Sequence, residues 1–167
     1  SDWGMNTFAC SVCGEEHEGL PALGLHKPDY WLSLTPKQQK QGKCDSDLCK
    51  THDGHFFVRC VLVIPLLDGP ERALEYGPWS SLSEENFKRY VKTFRDNDQS
   101  KIGPMFGWFS NDLKAFPGSL NLKCQVWPQD NNQRPHIELE ASDHPLSLAQ
   151  RNGITFARAL ELVHSPI

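Results

Sequence analysis

Cys10-Ser11-Val12-Cys13-Gly14 sets two thiols three positions apart ahead of a glycine that lets the turn close. Two thiolates at this spacing can hold one metal ion, and they make half of a tetrahedral zinc site, which takes four N or S ligands. The other half must come from elsewhere: His17 lies just downstream, and the segment CDSDLCKTH carries Cys44, Cys49 and His52 within nine residues. The preferred ligand set is Cys10, Cys13, His17 and Cys49 around one structural zinc, because three thiolates and an imidazole fill the tetrahedron. Cys44 and His52 stand as replacements for His17 or Cys49, since spacing alone does not rank them.

Competing chemistries fit the residues less well. A redox pair needs its CxxC at the start of a helix that lowers one thiol pKa, whereas Gly14 and the acidic run EEHE follow this pair. A zincin needs HExxH, and here Pro21 stands where the second histidine belongs. A zinc deaminase places HxE before PCxxC, but this CxxC precedes every histidine of the chain. Asp143 and His144 could join His136, Glu138 and Glu140 in acid and base chemistry; the simpler reading makes Asp143 or His144 the cap of a helix beginning at Pro145. No phosphate loop, dinucleotide fingerprint or serine-hydrolase elbow is present.

The elements that would position these groups are legible as an α+β pattern, an antiparallel or mixed sheet packed by helices, with a zinc-knuckle-like element at the N-terminus. Thr35, Pro36 and Gln38 form a capping box for a short helix that stops at Gly42. The run His55 to Leu67 is apolar on both faces and is predicted as a central strand ending near Pro65. Arg72 to Leu82 returns as a second strand, bent at Gly77 and Pro78. Ser83 caps a helix whose Phe87, Tyr90, Val91 and Phe94 form a core face. Leu120–Trp127 and 136–140 are further strands, the second with Ile137 and Leu139 inward. Two short helices follow, one after Asp143 with Gly153 as its stop, the other from about Thr155 to Val163.

With 167 residues and 38% hydrophobic content, the chain reads as one domain over 1–167, its metal-binding segment at about 8–53 integrated with the core. A net charge of −4, with scattered basic residues, argues against nucleic acid as a partner. No apolar run is long enough to span a membrane, and no signal segment is visible. Cys60 and Cys124 sit in apolar runs and are expected in the core, as are Trp79, Trp108 and Trp127.

Several blocks together resemble the bacterial family called domain of unknown function 2199: FACSVCGEEHEGLP from Phe8, DLC from Asp47 with HFFVRCVLVIP, WSSLSEENF from Trp79, GWFSNDLKAFPGSLNLK from Gly107 and RPHIELEASDHPLSLAQRNGIT from Arg134. The resemblance implies a cytoplasmic bacterial protein of a family without established activity, and its blocks contain Cys10, Cys13, His17 and Cys49 while Cys44 falls between them. The expected function is a zinc-stabilised binding module with an unidentified protein partner. The alternatives are a metal-assisted hydrolase with an open zinc position served by Glu15, Glu16 or His144, a thiol redox protein, and a toxin-neutralising, immunity-type protein.

Overall fold

In the computed structural model the described residues are 7–9 and 16–167, with side chains from residue 19 onward. Strands β1 (Thr7–Ala9) and β2 (Glu16–Glu18) form an antiparallel hairpin in which Phe8 opposes His17. The chain then enters β3 (Leu23–Gly24), which pairs in parallel with a strand much later in the sequence.

Two short helices follow, α1 (Asp29–Ser33) and α2 (Pro36–Lys40). The capping box at α2 is present: Gln38 N–H donates to Thr35 Oγ1 at 3.2 Å and Thr35 N–H to Gln38 Oε1 at 2.9 Å. Strands β4 (Lys43–Cys44) and β5 (Leu48–Lys50) then make a tight hairpin.

The apolar run at 55–67 is two strands where one was expected. β6 (Phe56–Arg59) pairs with β5 and with β9 (Trp79–Leu82), whereas β7 (Leu62–Pro65) pairs with β8 (Ala73–Gly77) in a different sheet. The break falls opposite Pro78, which has no N–H to offer a ladder. Its carbonyl takes the Cys60 N–H at 2.7 Å, and Val61 turns to bond Pro135. The predicted bend at Gly77 and Pro78 is therefore present, and it forces the partner strand to change sheets at the same level.

Ser83 caps α3 (Glu84–Thr93), accepting from Asn86 N–H at 3.1 Å. Tyr90 of its core face is buried and Phe87 and Phe94 pack on the core, but Val91 is 43% exposed and leaves the stripe. A 3-10 turn (Gln99–Ile102) leads to the meander β10 (Met105–Trp108), β11 (Lys123–Trp127) and β12 (His136–Leu139). The strand expected from Leu120 begins only at Lys123, because Asn121 adopts φ 69° in a turn whose N–H bonds the Phe109 carbonyl. On β12, Ile137 and Leu139 are buried and their neighbours exposed, as the alternation requires.

Helix α4 (Pro145–Asn152) stops at Gly153, φ 80°, and α5 (Phe156–Val163) is capped by Thr155. Isolated bridges, Val61 to His136 and Ser80 to Phe109, stitch the sheets together. The described residues form an α+β fold with antiparallel strand pairs and the parallel pair β3–β8, around a core that includes Val58, Leu62, Ile64, Met105, Val126 and Leu146. Among the described residues, no helix is long and apolar enough to cross a membrane.

Candidate functional site

Cys44 and Cys49 are directly opposed across the β4–β5 hairpin with Cα atoms 4.0 Å apart, and their sulfurs are joined as a disulfide. The turn between them is built by Asp45, whose Oδ1 accepts from the N–H groups of Asp47 and Leu48, both at 2.8 Å. Burial alone would raise the Asp45 carboxyl, but these donors and the charges of Lys27 and Lys43 outweigh it and hold it below the ordinary value.

Three cations clamp this turn. Lys27 Nζ donates to the carbonyls of Cys44 at 3.0 Å and Asp45 at 3.2 Å, Arg59 Nη1 to that of Ser46 at 3.5 Å, and Arg134 Nε bonds the Asp47 carboxylate at 2.8 Å. Behind it, Cys49 is fully buried in a small second core with Trp31, Phe57 and Trp79. Trp79 is fixed in turn, its indole N–H donating to the Leu25 carbonyl at 2.9 Å and its backbone N–H to Asn111 Oδ1 at 2.8 Å.

Of the expected zinc ligands, Cys10 and Cys13 lie outside the described residues. His17 is placed on β2 by its backbone alone. Cys49 and its replacement Cys44 are bonded to each other. His52 is drawn instead toward Asp53, Nδ1 to Oδ1 3.7 Å. Among the described residues, no three His, Cys, Asp or Glu side chains gather as a metal would need.

The acid and base groups suggested near His144 are not assembled. His144 Nδ1 accepts from Leu146 N–H at 3.1 Å, so Nε2, 3.0 Å from the Pro117 carbonyl, carries the proton and donates to it. Nδ1 thus caps α4, as the simpler reading expected, while Nε2 ties the cap to the turn at Pro117. His136, Glu138 and Glu140 line a separate groove of about 550 Å³ with Trp127 and Arg151.

Beside the cysteine hairpin lies a cluster that sequence reading missed. The Tyr30 hydroxyl on α1 donates to Asp53 Oδ2, Thr51 Oγ1 donates to Asp53 Oδ1 at 2.6 Å, and His55 Nε2 stands 3.7 Å from Oδ2. The Thr51 and Tyr30 hydroxyls pull the Asp53 carboxyl down to about 2. Tyr30 and His55 also line a cavity of about 480 Å³, together with Phe57, Trp108 and Leu120. In the sequence its signals are Trp108 and the aromatic run after His55, which composition places in the core. Trp79 does lie there, but Trp108 is 42% and Trp127 40% exposed, because each points off the outer face of its strand.

Cys60 and Cys124 lie in the core as expected, Cys124 Sγ 3.4 Å from Ser80 Oγ. Burial pushes both thiols well up, that of Cys124 to about 12.

No curated protein and no solved structure matches the chain. A family described as "Uncharacterized protein conserved in bacteria (DUF2199)" matches residues 9–154. Covering most of the 167 residues, that match establishes the expected kinship: the chain belongs to the family of domain of unknown function 2199.

Proposed function

We propose that the chain is a binding module stabilised by one structural zinc held by Cys10, Cys13, Cys49 and a fourth donor. The observation that carries this reading is the opposed pair Cys44 and Cys49. Directly opposed residues of an antiparallel ladder put their side chains on one face, so the reduced pair presents two thiolates together. With the CxxC at Cys10 and Cys13, this supplies four sulfurs in two pairs, which favours Cys44 over His17 as the fourth ligand. The cations at the turn favour thiolates there, unlike the acidic EEHE run beside the first pair.

A second reading rests on the disulfide itself: the Cys44–Cys49 bond is a staple closing a short loop, worth about 2 kcal/mol by chain entropy. Chelation separates the two. A zinc-held protein loses its cooperative thermal transition in the presence of a strong chelator and regains it with added zinc. A stapled one melts unchanged until a thiol reductant is added. Cys44→Ser is expected to weaken zinc retention, and His17→Ala to leave it intact; the opposite pattern restores His17 as the ligand.

A further inference from the structure

The aromatic-walled cavity beside the cysteine hairpin is built by α1, β6, β9, β10 and the turn at Asn121, and neither Cys44 nor Cys49 lines it. On one wall three rings cluster. Tyr30 and His55 meet edge to face with centroids 4.6 Å apart, and Phe57 lies 6.5 Å from each. Trp108 and Leu120, 42% and 40% exposed, contribute the remaining apolar surface. At about 480 Å³ the cavity is of the size that takes a small molecule.

Its electrostatics are one-sided. Among the described residues no lysine or arginine lines it, and Asp29 is the carboxyl group of its lining. Neutral donors hold that carboxylate, Asn111 Nδ2 at 3.2 Å and Asp112 N–H at 2.7 Å, so its charge is solvated but not cancelled. A second carboxylate, Asp53, accepts the Tyr30 hydroxyl and makes that ring more electron-rich. Trp108 already serves as a cation platform for its cross-strand neighbour Lys123, whose Nζ is 5.9 Å from the ring centroid and which does not line the cavity.

The three serine hydroxyls in the walls each bond a backbone group. Ser81 Oγ accepts from Trp108 N–H at 3.0 Å, Ser110 Oγ donates to the Trp108 carbonyl at 2.7 Å, and Ser33 Oγ donates to the Tyr30 carbonyl at 2.6 Å. A primary ammonium or guanidinium would find Asp29 as an acceptor but rings on the other sides, and would recover only part of the hydrogen bonds it gives up to water. A quaternary ammonium loses none, and is held by ring faces and the nearby negative charge alone. We infer that this cavity binds a small quaternary ammonium compound, with Tyr30, Phe57 and Trp108 as its aromatic walls and Asp29 as its counter-charge.

The test follows the Trp108 indole N–H by NMR during titration of the intact protein with choline, and with dimethylbutanol, its uncharged carbon isostere. Choline is expected to shift the resonance saturably, with the isostere at least about tenfold weaker. Trp108→Leu, followed at Tyr30 and His55 resonances, should weaken choline about tenfold with an unchanged melting transition. Leu120→Lys, which adds a positive charge at the exposed mouth, should abolish choline binding and serves if the tryptophan variant does not fold. No saturable shift with choline, equal binding of the isostere, or choline binding undiminished in Leu120→Lys would each overturn the assignment.

Discussion

The Tyr30 hydroxyl donates to the Asp53 carboxylate, tying helix α1 to the loop that follows the cysteine hairpin, 23 residues later in the chain. With Thr51 as a second donor, this holds the Asp53 carboxyl at about 2, below its ordinary 3.8. A depressed folded-state value stabilises the fold fully above 3.8, and the contribution is lost as pH falls toward about 2. Replacing Tyr30 with Phe removes one donor, so its stability should fall less steeply than wild type between about pH 4 and pH 2. Urea melts across that range measure it; parallel pH profiles would show that the bond does not contribute.

Asn111 is buried and satisfied at both ends, accepting from Trp79 N–H and donating to the Lys27 carbonyl and Asp29. Asn111→Ala leaves a buried N–H without its acceptor and should cost about 2 to 3 kcal/mol in chemical denaturation. A loss below about 0.5 kcal/mol would mean that the region repacks around the gap.

Gly107 allows β10 to lie against β9: a Cβ there would collide with Ser80 Oγ and the Ser81 carbonyl. Gly107→Ala should therefore destabilise by about 2 kcal/mol and, through the neighbouring Trp108, disturb the cavity wall. An unchanged melting transition would contradict that packing.

The buried thiols predict selective reactivity. At about pH 8, a maleimide should leave Cys60 and Cys124 unlabelled in the native protein and modify both in denaturant, because desolvation disfavours each thiolate. Rapid native labelling of either, read by peptide mass spectrometry, would mean that the core opens there.

What the sequence revealed divides along physical lines. Local signals with their own chemistry were legible: the capping box at Thr35, the Ser83 cap, the Gly153 stop and the alternation along β12. The split of the run at 55–67 was hidden because its cause lies between two other strands, at Pro78. Apolar periodicity does not reveal which partner each half will choose. The cysteine cluster was visible as a set of residue types, but the opposition of Cys44 and Cys49 depends on the Asp45 turn and was not ranked by spacing. The cavity was least legible, since Tyr30, His55 and Trp108 are far apart in the chain and only the tertiary fold brings them together.

The most direct test of the zinc account is the metal content of protein purified without added metal or chelator, comparing wild type with Cys13→Ser. One zinc per wild-type chain, lost in the variant together with the folded state, is the expected result. Wild-type protein free of zinc, with Cys44 and Cys49 joined and Cys13→Ser folding normally, would contradict the account.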